Sequence, residues 1–247
     1  MPWSAEDQNI TNRLLLKLPL LERRRLQPLL EHVDMARGDP IYGAGARVKY
    51  IYFVNRGLIS LVRTMRDGRT VEIGIVGNEG MTGSYSLFGI DAAVMDAIVQ
   101  IPGSALRISR EAMLSQAGMS AALRDMVGRY AHFAIGAIAQ TAACNRLHSL
   151  EERCCRWLLI GHDSALSDTF LLTHEFLAMM LGVLRPAVSL TANTLQKAGL
   201  ITYNRGRITI LDRPGIECCA CECYAAMQDE FERLLGTLGT VSSKSKK

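Results

Sequence analysis

In the stretch LGVLRPAVSLTANTLQKAGLI, from Leu181 to Ile201, the residues Arg185, Ser189, Asn193 and Lys197 recur every fourth position. On a helix this spacing gathers them on one side, where they offer a guanidinium fork, a hydroxyl, an amide and an ammonium. Such a set hydrogen-bonds base edges and pairs with phosphates. Between Gly182 and Leu211 stand four basic residues, Arg185, Lys197, Arg205 and Arg207, and no acidic one, although the whole chain carries only +4. The positive charge is local, as attraction to phosphate requires. A second group is ECCACEC, with Cys218, Cys219, Cys221 and Cys223. Thiols this close suit a soft metal. In a continuous helix, however, Cys219 and Cys223 share a face while Cys218 and Cys221 point elsewhere, so one ion does not collect all four. Packing is the favoured reading, since cysteine is a common small core residue, with a metal or redox role as the alternative.

The elements that must position the basic residues follow from the breakers around them. Gly182 comes just after the apolar run FLAMML and supplies the positive φ that closes a helix. Pro186 then opens the next one, where its missing N–H costs nothing. That helix should bury Val188, Thr191 or Ala192, Leu195 and Ala198, and end at Gly199. Thr173 is a fair N-cap for the preceding helix, with Glu175 in its first turn. Downstream, LITYNRGRITIL alternates around Asn204 to Arg207 and predicts a two-strand hairpin, a wing. Helical corners also occur in domains that never meet nucleic acid. The wing and the acid-free basic face favour a DNA reader over that plainer reading.

The chain of 247 residues is long enough for one large domain or two modest ones. No apolar run spans a bilayer, because LLLKLPLL is broken by Lys17 and Pro19. The start does not have the order of a secretory signal, and seven unevenly placed cysteines suit a reducing compartment, so a cytoplasmic protein is expected. From Gly38 to Ser109 the short segments YIYFV, LISLVRT, TVEIGIV, AIVQI and ALRI alternate, separated by NRG, RDG, GNEG and IPG, which predict turns. Many short strands at near-regular spacing argue a β-barrel or sandwich. The histidines, His32, His132, His148, His162 and His174, do not pair among themselves at i, i+4, and no zinc motif is read. No catalytic constellation stands out and no enzyme is expected.

After the strands the chain turns helical. Leu123, Val127, Tyr130, Ala134, Ala137, Thr141 and Cys144 step by alternating fours and threes, a heptad seam. Packing on the barrel is the usual destiny of such a stripe. A dimer interface formed by Leu123, Val127, Tyr130, Ala134, Ala137 and Thr141 is nonetheless preferred, because one helix-turn-helix reads few base pairs and two-fold dimers present paired helices.

In this order (strands, long helix, helix-turn-helix, wing) the chain resembles the CRP/FNR family of bacterial transcription regulators over roughly residues 10 to 215. The resemblance rests on Gly38-Asp39, Gly45, YIYFVNRG ending at Gly57, GNEGMTG from Gly77 to Gly83, and LTHEFLAMMLGVLRPAVSLTANTLQKAGLI. It implies an α+β fold with an N-terminal cyclic-nucleotide-binding-like jelly-roll barrel over 10–115. A central dimerisation helix over 116–148, a winged helix-turn-helix over 149–215, and a C-terminal helix with a solvated basic tail over 216–247 would follow. The family's nucleotide cassette would place an effector pocket at Gly77, Gly80, Gly83 and Ser84, with a mere tight turn of the barrel as the slightly preferred alternative. Its ribose glutamate is replaced here by Ser84, and its phosphate arginine by the neighbourhood of Met95 and Asp96, so cyclic AMP is not the expected effector. No cysteine precedes Cys144, so the iron–sulfur cluster of FNR-type members does not carry over.

The expected function is a homodimeric regulator of the CRP/FNR type on a palindromic operator. Arg185 is the first candidate for a base contact, with Ser189 and Asn193 one turn apart. Lys197, Arg205 and Thr173 are expected on the phosphate backbone. RNA polymerase is a further expected partner and a membrane is not. The rival reading is a ligand-binding or redox-sensing module with degenerate DNA binding.

Overall fold

The computed structural model describes residues 10–236. Its N-terminal half is a five-stranded antiparallel sheet of β1 (Glu31–Met35), β2 (Pro40–Tyr42), β3 (Tyr50–Thr64), β4 (Thr70–Val76) and β5 (Asp96–Ser109). The order is β1-β5-β3-β4, with β2 also on β5. The ends of this path, β1 and β4, do not pair with each other, so the sheet wraps like a jelly roll and does not close into the expected barrel. Two segments expected as turns, NRG and IPG, lie inside β3 and β5. There the pairing register shifts between Val54 and Ile59, and the two strands bend together. A Cβ on Gly57 would sit 2.5 Å from the carbonyl oxygen of Ile101, and one on Gly103 would strike that of Arg56. These glycines mark close backbone approach and not chain reversal.

Ahead of the sheet, α1 (Arg13–Lys17) and α2 (Leu20–Leu26) are seated by Asn12. This wholly buried side chain accepts from the Leu15 amide at 3.0 Å and donates to the carbonyls of Val54 and Gly80, each at 2.8 Å. After the sheet come α3 (Arg110–Met119), α4 (Ala121–Leu147) and α5 (Leu150–Ala165), the last opened by a Ser149–Glu152 capping box. Then follow β6 (Thr169–Leu171), α6 (His174–Leu181), α7 (Arg185–Lys197), β7 (Ile201–Asn204) and β8 (Arg207–Ile210). The chain finishes with α8 (Arg213–Cys219) and α9 (Cys223–Leu235). Among the described residues no single helix is long and apolar enough to cross a membrane.

The 27-residue α4 lies along the sheet. Leu123, Met126, Val127, Tyr130 and Phe133 are buried in the same core as Phe53, Ile59, Val76 and Met81. Three of the six residues expected at a dimer seam, Leu123, Val127 and Tyr130, thus lie within their own chain's core. Ala134, Ala137 and Thr141 are half-buried on the walls of two open pockets. The heptad rhythm reports burial against the sheet, which demands the same spacing as a partner helix.

From the far end of the chain α9 returns to α4. Phe231 meets the Phe133 ring edge-on at 5.6 Å, and the Arg13 guanidinium stacks over Phe231 at 4.4 Å. Arg13 and Lys17 both reach Glu232, at 2.7 and 3.1 Å. The C-terminal helix is thus two helices and not the single one expected. Ala220 is extended, its amide bonded back to Ile216 and Glu217, and this breaks α8 from α9.

The two halves share a second core in which Leu58, Val62 and Ile101 of the sheet meet Trp157, Leu158 and Leu181. Glu72 lies in this contact, 6% exposed. Its carboxylate accepts from the Ser60 hydroxyl at 2.5 Å and from the Trp157 indole at 3.1 Å. Burial pushes its pKa up from the ordinary 4.5 to about 7, against the pull of Ser60, Arg156 and Trp157. Between those two values the folded chain holds a proton that the unfolded chain has released, so stability falls as pH rises through this window. The full effect is on the order of 3 kcal/mol. Glu72→Gln keeps a bond to each partner without the charge. Thermal melts at about pH 5 and about pH 8 should therefore show a flatter pH dependence than wild type, with the variant the more stable at the higher pH.

Candidate nucleic-acid interface

Helices α6 and α7 cross at 108°. The corner is built as the local chemistry dictates: Thr173 caps α6 by accepting from the Phe176 amide at 3.3 Å, and Gly182 ends it with φ +65°. A Cβ at Gly182 would also lie 3.2 Å from Val71 of β4, so the turn is seated on the sheet of the N-terminal half. Arg153 of α5, largely buried, donates to the carbonyls of Asn145 and Leu181 and so ties the ends of α4 and α6 together.

The inner face of α7 is Val188, Thr191, Ala192 and Leu195, all buried. Its outer face carries Arg185, Pro186, Leu190, Asn193, Thr194 and Lys197. Leu184 and Leu190 are 80% and 70% exposed, two bare leucines astride Arg185 on a helix otherwise polar outward. Arg185 pairs with Glu175 at 3.3 Å. Both side chains are solvated, so this pair holds the guanidinium weakly.

The other singled-out residues are placed differently. Ser189 is half-buried and hydrogen-bonded to Nδ1 of His174 at 2.9 Å, while the His174 ring stacks on Tyr203 of the wing at 4.0 Å. His174, which looked unremarkable in the sequence, therefore joins α6, α7 and β7. Burial, and then the nearby Arg185, lower its pKa and favour the neutral ring. Thr173 accepts from Arg37, whose guanidinium also lies over the Phe176 ring at 5.3 Å. This bond across the two halves was not visible in the sequence. The wing turns through Arg205 and Gly206, both at positive φ, which holds Arg205 exposed at the tip. Arg185, Asn193, Lys197 and Arg205 thus share the outer surface, and Ser189 and Thr173 are engaged inside it.

The glycine-rich segment divides in the same way. Gly83 and Ser84 border a cavity of about 50 Å³ together with Tyr42, Met81, Tyr85, Met95 and Tyr130. Among the described residues, none that lines it is charged. Asp96, near the position of the expected phosphate arginine, instead accepts from the Ala44 amide at 2.8 Å. Gly77 and Gly80 are not on this cavity. A Cβ on Gly80 would strike the Tyr130 hydroxyl, and one on Gly77 would lie 2.7 Å from Ser164, so these two glycines serve close packing of the loop on α4 and α5. A larger cavity, about 100 Å³, opens where β4, α4, α5 and α9 meet, with Arg13, Glu79, Arg156 and Asp163 on its wall.

Comparison with known domains decides between a helical corner of any origin and a DNA reader. The Crp-like helix-turn-helix domain matches residues 152–219, and the cyclic nucleotide-binding domain matches residues 32–117. The chain belongs to the CRP/FNR family. Among solved structures, FixK2 from Bradyrhizobium japonicum superposes with a TM-score of 0.66 at 16% identity, covering 78% of this chain and 98% of that one. A CRP-family transcriptional regulator from Thermus thermophilus gives 0.63 at 24% identity, covering 76% and 96%. The c-di-GMP-responsive global regulator CLP of Xanthomonas campestris gives 0.61 at 16% identity, covering 78% and 99%. At these identities the likeness is one of fold. No curated protein sequence matches the chain. As in other CRP/FNR proteins, the parts are a jelly-roll domain, a long helix and a helix-turn-helix, and the family is one of transcription regulators and not of enzymes.

Proposed function

We propose that this CRP/FNR protein is a cytoplasmic homodimer that reads a two-fold operator through α7 and positions RNA polymerase there. The observation that carries the reading is the exposure of Arg185, Asn193 and Lys197 along α7 and of Arg205 at the wing tip. Arg185 leaves its solvated partner Glu175 for guanine O6 and N7, an exchange of a weak pair for a bidentate one. Leu190 meets thymine methyl groups, and Asn193 reads an adjacent base. Lys197 and Arg205 hold phosphates. Ser189 and Thr173 act from inside, by fixing His174 and the start of α6.

The dimer forms through the face of α4 turned away from the sheet. Gly128, Ile135, Ala139 and Ala142 run along it at helical spacing, and Ile135 is 70% exposed. Small residues there let two helices approach closely. The effector is not cyclic AMP, because the cavity at Gly83 and Ser84 offers no cation for its phosphate. An effector for that cavity is small and mostly apolar.

Selection of genomic fragments by the purified protein at about 150 mM salt tests the reading, since non-specific attraction is weakened there. A shared two-fold sequence is expected, and retention without any shared sequence, with and without cell extract as a source of effector, would overturn it. On the selected site Arg185→Ala should lose about 1–3 kcal/mol and relax preference at one position of each half-site, whereas Lys197→Ala should weaken all DNA alike. Ile135→Arg should sediment as a monomer and lose the two-fold footprint.

A further inference from the structure

The C-terminal thiols that DNA reading leaves unused have partners far away in sequence. Cys144 stands in the last turn of α4, and His148 follows it at the cap of that helix. Cys221 lies in the break between α8 and α9, and Cys223 is the first residue of α9. The sulfurs of Cys144 and Cys221 are 3.6 Å apart, and Nδ1 of His148 is 3.6 Å from the sulfur of Cys223. All four donor atoms lie within 4.8 Å of one another. A tetrahedral ion with metal–sulfur bonds of about 2.3 Å and a metal–nitrogen bond of about 2.0 Å needs donors about 3.5–3.8 Å apart. An iron–sulfur cluster distributes its four ligands over two or more irons and so spreads the set wider than this group.

The surroundings are those of a ligand set and not of mere filler. The three thiols form a buried cluster of their own, apart from the two apolar cores. Glu222 holds Nε2 of His148 at 3.0 Å, which turns Nδ1 towards the sulfurs, the way a carboxylate orients a metal-bound imidazole. The Gln140 side-chain amide donates to the Cys223 sulfur at 3.0 Å, as an outer partner does to a thiolate. Cysteines buried only for their volume need neither partner.

We propose that Cys144, His148, Cys221 and Cys223 form a closed, mononuclear zinc site. Three thiolates and one imidazole complete a tetrahedron with no open position, so the site is structural. Zinc entry displaces three thiol protons to solvent, leaving the centre one unit negative. The ion clamps the end of α4 to the root of α9, on either side of the DNA-binding domain. Cys218, exposed, and Cys219, half-buried on α8, stand outside the set.

Elemental analysis of the untagged, full-length protein, purified without chelator, tests this independently of any DNA measurement. One zinc per chain is expected, retained in Cys218→Ser and lost in Cys144→Ser and Cys221→Ser. Because a ligand variant can fail by unfolding, His148→Cys serves as a second arm, and it should keep the metal on four thiolates. Cobalt(II) added to the stripped wild type should give the visible bands of a tetrahedral thiolate site, bleached by zinc. Zinc well below one per chain with no cobalt bands would overturn the site. So would iron with inorganic sulfide in its place, a Cys144–Cys221 disulfide in freshly prepared protein, or full zinc retention after both cysteines are replaced.

Discussion

Everything in this molecule is indexed to the burial of one side of α4. A helix of 27 residues has no fixed rotation about its own axis until a stripe of it is buried. Here Leu123, Met126, Val127, Tyr130 and Phe133 enter the sheet's core, and Tyr130 packs so tightly on the GNEGMTG loop that only glycine fits at Gly80. With the rotation set, the outward face is set as well, and it carries Ile135. The end of the helix then delivers α5 to the sheet at Glu72, and through α5 the corner of α6 and α7.

Much of the DNA-binding half was legible because its signals are local. Gly182, Pro186 and Gly199 punctuate α6 and α7 whatever else the chain does, and α7 spans Arg185–Lys197 as its breakers imply. The sheet was legible in kind and not in path. NRG and IPG read as turns because glycine has two uses, chain reversal and close backbone approach, and only the partner strand tells which applies. The seam on α4 was ambiguous for a related reason, since an apolar stripe states that a face is covered and not by what, and Leu123, Val127 and Tyr130 are covered by their own chain. The hydroxyls of Ser189 and Thr173 meet His174 and Arg37, contacts 15 and 136 residues away in sequence that no local pattern announces.

The thiol cluster was half written in the chain. Cys144 and His148 stand four apart, one helical turn, and Cys221 and Cys223 two apart, so each pair can turn its donors to one side. Comparing histidines only with histidines passes over the first pair. The helix presumed over ECCACEC hides the second, because the break at Ala220 is what turns both sulfurs the same way. Cys144 and Cys221 stand 77 positions apart, and nothing local announces that their sulfurs meet.

The return of α9 to α4 changes what the DNA-binding domain is able to do. A domain hung from one linker swivels in any direction. This one is inserted, entering from α4 and leaving into α9, and both of those elements are packed on each other and on the N-terminal half. It is held along its side too, because Leu58, Val62 and Ile101 of the sheet share a core with Trp157, Leu158 and Leu181. Such a body does not swing by itself: to turn α7, a shift must carry the sheet, α4 and α9 with it or open that shared core.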